Sequence, residues 1–180
     1  MQDFFYSNNL NKVFAKNLEQ YIGKPNLKFL ELGSHSGSSA SGTLNVILTD
    51  PTCTITCVDS WNSIDIEEHF NIICKFYSPR IIKAKNDSVA WLRSHQDLRF
   101  DFIYVDADHS AEGVFADANN AWALLKPEGI MAFDDYLLAD AETQTLETKT
   151  GIDQFLESIE GQYKVLDSNY QLWITKNNFS

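Results

Sequence analysis

Five short runs rich in apolar and β-branched residues, Lys28–Leu32, Thr54–Val58, Ile81–Ala84, Phe102–Val105 and Ile130–Phe133, alternate with longer stretches whose apolar residues recur every three or four positions. The short runs read as strands buried on both faces, and the recurrence between them is that of one helix face. Ser38–Leu48, Ile64–Phe76, Ser88–Ser94 and Gly113–Leu125 are the helix-like stretches, several opened by a Ser or Asp suited to capping. A strand can return parallel to its predecessor only through a crossover connection, which helices supply. The pattern therefore predicts an α/β fold, a mostly parallel sheet covered by helices on both faces as a three-layer α/β/α sandwich.

The two ends of the chain depart from this rhythm. An amphipathic helix, roughly Asn9–Ile22, precedes the first strand. After a helix near Ile152–Ile159, the runs Tyr163–Leu166 and Gln171–Thr175 flank the turn-rich Asp167-Ser168-Asn169 and read as a hairpin that ends the sheet with an antiparallel strand. The polar stretch Ala139–Thr150 reads as one long surface loop. With 180 residues the chain suits one domain, comprising an N-terminal helical segment (1–24), a region bearing the chemistry (28–135) and a terminal helix and hairpin (151–176).

A formal charge of −11, without a Lys/Arg cluster, argues against nucleic acid or an anionic membrane as partner. No segment has the apolar length of a membrane span and the first residues lack the pattern of a secretory leader, so a cytoplasmic location is expected. Cys53, Cys57 and Cys74 lack metal-ligand spacing and read as reduced thiols. Little sequence remains to wall an acceptor pocket, which is then either open or completed by a second copy in a homo-oligomer.

Glu31-Leu32-Gly33-Ser34-His35-Ser36-Gly37 follows the first strand and leads into a helix. Glycines in such a turn let a ligand approach the backbone, and the exposed N–H groups of the following helix favour a carboxylate or phosphate. The second strand ends at Asp59, followed by Ser60 and Trp61. A carboxylate there can accept hydrogen bonds from both hydroxyls of a ribose, so loop and carboxylate together point to an adenosine-bearing ligand. Gly33 and Gly37 have three residues between them, unlike the glycine spacing used to approach a diphosphate. Glu31 suits a ligand with an ammonium and a sulfonium better than a diphosphate. Nicotinamide-dependent hydride transfer and a non-catalytic nucleotide-binding module remain the competing readings.

The fourth strand ends at Asp106, with Asp108 and His109 just beyond, and the fifth ends at Asp134-Asp135. Neighbouring strands would gather these carboxylates in one small volume, where a hard divalent ion such as Mg²⁺ resolves their repulsion. Successive strand residues face opposite ways, so Asp134 and Asp135 can share an ion only if the chain bends there.

Phe29–Gly37, Val58-Asp59-Ser60-Trp61, Asn86-Asp87-Ser88, Phe100–His109, Leu125–Gly129 and Phe133-Asp134-Asp135-Tyr136 together resemble the successive motifs of class I S-adenosylmethionine-dependent methyltransferases. Among these, the chain is most similar to the small branch with metal-dependent sugar O-methyltransferases of antibiotic biosynthesis. The resemblance implies a Rossmann-like, seven-stranded sheet with an antiparallel last strand. It implies S-adenosyl-L-methionine as cofactor, bound by Glu31, Gly33, Ser34, His35, Gly37, Asp59, Ser60, Trp61, Asp87, Ser88 and Asp106. Asp59 would hold the ribose, Asp87 and Ser88 would lie beside the adenine, and Trp61 is a candidate to stack on it. Asp106, Asp134 and Asp135 match the metal positions, leaving Asp108 or His109 as base, with Asp108 slightly preferred; the alternative is a metal-independent methyltransferase that uses the same cofactor fold and only a side-chain base. The acceptor would be a small hydroxylated molecule. Ala107 and Glu128 stand where such proteins often have glycine.

Overall fold

The computed structural model describes residues 12–138 and 146–178. Seven strands, β1 (Lys28–Leu32), β2 (Thr54–Asp59), β3 (Ile81–Lys85), β4 (Phe100–Val105), β5 (Leu125–Phe133), β6 (Tyr163–Ser168) and β7 (Leu172–Lys176), form one sheet ordered β3-β2-β1-β4-β5-β7-β6. β1 to β5 are mutually parallel, and β7 inserts antiparallel between β5 and β6. The helices are α1 (helical over 12–17), α2 (Ser38–Val46), α3 (Ile64–Phe76), α4 (Ser88–Ser94), α5 (Ala111–Trp122) and α6 (Glu147–Ser158). Strand order reverses between β1 and β4, and at such a switch point the helices leave to opposite faces and open a crevice at the strands' carboxyl ends.

Alternation along the strands divides the core in two. Leu30, Leu32, Ile103, Val105 and Phe133 pack with Trp91 of α4, Val114 of α5 and Phe155 of α6. Phe29, Phe102, Tyr104 and Trp173 face the other way, toward Phe14 of α1, Leu44 of α2 and Phe70 of α3. Phe14 meets Phe102, Tyr104 and Trp173 edge-on at ring separations of 5.8, 5.1 and 5.2 Å. The three-layer expectation is met, with α1 as part of the sandwich. The helix expected over Asn9–Ile22 gives way after residue 17 to a 3-10 turn, Glu19–Tyr21, and residues 9–11 lie outside the described residues.

Several boundaries differ from the sequence expectation. α5 spans Ala111–Trp122, not Gly113–Leu125, because Ser110 caps it by accepting the Gly113 N–H at 3.1 Å. At its other end, Leu125 leaves the helix to pair with Phe100 and starts a nine-residue β5. The proposed loop Ala139–Thr150 is helical from Glu147, and residues 139–145 lie outside the described residues. Its polar composition hid a packed helix start: Thr148 is buried with its hydroxyl donating to His109 O at 3.2 Å, and Gly151 lies against Ala111, where a Cβ would meet the carbonyl oxygen at 2.2 Å. In the hairpin, Asp167 and Ser168 belong to β6 and the turn falls later, closed by Asn169 N–H donating to Gln171 O at 2.9 Å. A register irregularity between Val165 and Asp167 accounts for the offset.

Candidate active site

The crevice begins with the turn after β1. Gly33 (φ 86°), His35 (φ 45°) and Gly37 (φ 87°) all take left-handed conformations. Gly33 is needed for more than its φ: a Cβ there would lie 1.9 Å from the Asp106 carbonyl oxygen. Gly37 precedes α2 without any side-chain cap, which leaves the helix's first N–H groups for a ligand. Glu31 is buried, takes a hydrogen bond from Ser39 Oγ, and has Cys57 Sγ at 3.6 Å. Burial pushes its pKa up, against the Ser39, Ser34 and Cys57 contacts. Ser34 Oγ is buried without a hydrogen bond of normal geometry among the described residues.

Asp59 joins two turns. Its Oδ2 accepts the His35 N–H at 2.8 Å and its Oδ1 the Trp61 N–H at 2.6 Å, yet it still lines the crevice. Trp61 Nε1 donates to His35 O at 2.7 Å, while its ring is buried 4.4 Å from the Phe70 ring. The indole thus holds the His35 turn in place from below, with its ring in the core. Ser60 and His35 are exposed at the rim. Asp87 caps α4 by accepting the Ala90 N–H at 2.8 Å, and with Ser88 it forms the far wall of a crevice of about 350 Å³. A larger recess of about 810 Å³ opens at the opposite ends of the strands, around Asp101 and Lys126.

The reacting end is built by β4, β5 and the β6–β7 turn. Asp106 donates its N–H to Leu32 O at 2.9 Å, tying β4 to β1. His109 lies between two carboxylates, with Nε2 at 3.4 Å from Asp106 Oδ1 and Nδ1 at 3.5 Å from Asp135 Oδ2. Asp135 has φ 54°, a bend in the chain at the residue whose carboxylate reaches His109. Among the described residues, Asp106, His109 and Asp135 offer ligand atoms within 4.8 Å of one another. Asp134 was expected to complete the set; its Oδ1 instead accepts Gln171 Nε2–H at 2.7 Å. Asp108 Oδ1 accepts the Ser110 N–H at 2.8 Å and its carboxylate rests against Gly113, at the start of α5.

Charge and burial oppose one another here. Asp106 is pushed up to about 7, chiefly by burial and further by Asp134 and Asp135, with the His109 hydrogen bond pulling it down. His109 is raised by its hydrogen bond to Asp106 and the nearby Asp135 charge, against partial burial. Burial also raises Asp134, against the Gln171 hydrogen bond. The carboxylates of Asp106 and Asp135 repel one another across His109, and two such oxygens beside an imidazole nitrogen are a donor set that a divalent cation could use.

Sequence reasoning missed Tyr170, Gln171 and Asp117. Tyr170 donates its phenol to Asp135, and Gln171 bridges Asp134, Tyr104 Oη at 3.0 Å and Trp173 Nε1 at 3.2 Å. Their place in a turn carried no signal. Asp117 lies fully buried at the crevice, its pKa pushed up to about 6 by burial against hydrogen bonds from Ser88 and the Asp108 backbone. An acid within the apolar stripe Val114, Ala118, Ala121 was the signal for it. Of the two unusual residues, Glu128 takes the left-handed conformation (φ 62°) that glycine favours, whereas Ala107 keeps φ negative.

Comparison with known proteins matches residues 30–136 to the model of a methyltransferase domain family. No curated protein matches the chain by sequence. A candidate caffeoyl-CoA O-methyltransferase from Staphylococcus aureus shares its fold at TM-score 0.69 and 14% identity, over 97% of this chain and 83% of that one. An O-methyltransferase from Bacillus cereus in complex with SAH gives TM-score 0.69 and 15% identity, over 96% and 81%. MycE methyltransferase of the mycinamycin biosynthetic pathway, in complex with Mg, SAH and mycinamycin VI, gives TM-score 0.69 and 13% identity; 92% of this chain covers 48% of that one. At these identities the likeness is one of fold. No helix among the described residues is long and apolar enough to cross a membrane.

Proposed function

Because the chain belongs to the methyltransferase domain family, and is thus an S-adenosylmethionine-dependent methyltransferase, we propose that it methylates a hydroxyl of a small molecule with help from a divalent cation. The observation that carries this reading is the convergence of Asp106, His109 and Asp135 beside the crevice lined by Gly33 and Asp59. The two ends of that crevice suit different tasks. Glu31, Gly33, Ser34 and the uncapped start of α2 fit the amino-acid end of the cofactor, Asp59 its ribose hydroxyls, and Asp87 and Ser88 its adenine side.

Asp106 and Asp135 would hold the cation, with Asp134 behind them and Gln171 and Tyr170 fixing the carboxylates. A divalent ion held there would supply Lewis acidity, making an acceptor hydroxyl easier to deprotonate. His109 is favoured over Asp108 as the base. Its ring is half exposed beside the cluster, whereas Asp108 is turned onto Ser110 and Gly113. An imidazole in its neutral form can accept a proton near working pH. His109 would take the proton of the substrate O–H, and bound S-adenosylmethionine would supply the methyl group to that oxygen and leave as S-adenosylhomocysteine.

Single-turnover transfer of a labelled methyl group to a panel of alcohols, catechols and sugars, with EDTA and then Mg²⁺ added, tests this. Transfer to oxygen that chelation stops and Mg²⁺ restores is expected. Transfer indifferent to chelation would remove the cation, and transfer only to nitrogen or carbon would remove the hydroxyl.

A further inference from the structure

α3 covers the sheet beside the edge strand β3 and buries only Phe70 fully, with Ile66, Ile73 and Cys74 packed part-way against the same cluster. Its outer face is apolar as well. Ile64, Ile72 and Phe76 are 74, 66 and 78% exposed, and they share one face with Glu68 in the gap, because residues four apart on a helix are neighbours. No other helix among the described residues exposes a large apolar side chain. A helix that is apolar on its outer side as well as its inner one suits a place where a second surface covers it.

The charges around this stripe identify the surface that fits. With a formal charge of −11, two copies of the chain repel one another over most approaches. Over α3 and β3 the charges cancel: Asp65, Glu67 and Glu68 stand against Lys75, Lys83 and Lys85, and Glu67 is paired with both strand lysines. Along α3 the acids come first and the lysine last. Two copies of α3 laid antiparallel about a two-fold axis at Ile72 therefore set Glu68 of each beside Lys75 of the other, with Ile72 against Ile72 and the helix dipoles opposed. The exposed edge of β3 carries Lys83 and Lys85, and such charges deter the addition of a strand, so a helix is the better occupant.

We infer that α3 is a self-association surface, on which a second copy of this chain lays its own α3 antiparallel across the Ile64, Ile72 and Phe76 stripe to form a two-fold dimer. No residue of α3 lines the crevice of Gly33 and Asp59, so the contact takes nothing from either site. An interface built on one helix face belongs to the small class, for which a dissociation constant of roughly 1–100 μM is expected.

Sedimentation equilibrium of the full-length protein from ~1 to ~500 μM spans that range and tests the inference. The mass should rise from that of one chain to twice that value. Ile72→Asp, which places two carboxylates at the axis, should weaken association at least ~30-fold. Glu68→Lys and Lys75→Glu should each weaken it at least ~5-fold, since the two-fold axis doubles the effect of one pair. Combined in one chain, Glu68→Lys and Lys75→Glu should restore the parent constant to within about 2-fold. All three side chains are exposed, so every variant should keep the parent's far-UV circular dichroism. A chain still monomeric at ~500 μM, a dimer that Ile72→Asp leaves intact, or single charge reversals that the double reversal does not rescue would each overturn the inference.

Discussion

Replacing Gly33 with alanine would put a methyl group 1.9 Å from the Asp106 carbonyl oxygen, 2.5 Å from its carbon and 2.8 Å from Ala107 Cα. All three are backbone atoms at the β1–β4 junction, so no rotamer change can relieve the overlap. The strand ends would have to separate, at the point where Asp106 N–H donates to Leu32 O. A left-handed φ costs an alanine about 1–2 kcal/mol, and overpacking adds roughly 1–3 kcal/mol. The sum, on the order of 2–5 kcal/mol, corresponds to a fall in melting temperature of roughly 5–15 °C for a chain of this size. Gly161 is the control: it has φ 79° but nothing within 4 Å of an added Cβ, so Gly161→Ala should cost only about 1 kcal/mol. Denaturant unfolding of both variants, with S-adenosylhomocysteine titrations, measures the difference. Gly33→Ala should also lose at least ~10-fold in cofactor affinity, since a displacement of this kind widens the crevice. Equal destabilisation of the two variants, or unchanged affinity in Gly33→Ala, would refute the close-approach reasoning.

Asp59→Ala should weaken S-adenosylhomocysteine binding by ~100-fold or more, since it removes a charged acceptor and frees the His35 and Trp61 turns, while Asp106→Ala should keep binding and abolish turnover; equal binding losses in calorimetry would mean that the two ends of the crevice are misassigned. Gln171→Leu should destabilise by about 2–3 kcal/mol in urea unfolding, because it strips buried Asp134, Tyr104 and Trp173 of their shared partner; a variant as stable as the parent would discount the network. Asp117 is raised from 3.8 to about 6 by burial, so the native state holds this proton more tightly than the unfolded chain does, and stability is fullest below pH ~4 and falls as pH rises toward about 6. Asp117→Asn should then raise the unfolding free energy at pH 8 by up to about 3 kcal/mol and leave pH 4 unchanged; a gain equal at both pH values would contradict the titration.

The sheet was legible because its strands carry their burial in their composition. Lys28–Leu32 matches β1 residue for residue, and the antiparallel ending could be read from two short runs around a turn. Boundaries were hidden where a tertiary contact outweighs local composition. Polar Glu147–Thr150 is helical because Thr148 and Gly151 dock on α5, and Leu125 is a strand residue because Phe100 pairs with it. In the site, residues at strand ends could be placed because topology alone brings Gly33, Asp59, Asp106 and Asp135 to one edge. Side-chain direction was not legible. The turn of Asp135 toward His109 depends on a positive φ, the diversion of Asp134 depends on Gln171, 37 residues away, and Trp61 is drawn into the core by Phe70.

The most direct measurement is a crystal structure of the protein with S-adenosylhomocysteine. The ribose hydroxyls should lie within hydrogen-bonding distance of the Asp59 carboxylate, with the amino-acid end over Gly33 and the sulfur directed at Asp106 and His109. A cofactor found instead in the recess around Asp101 and Lys126, or a crevice left empty at saturating concentration, would contradict the assignment.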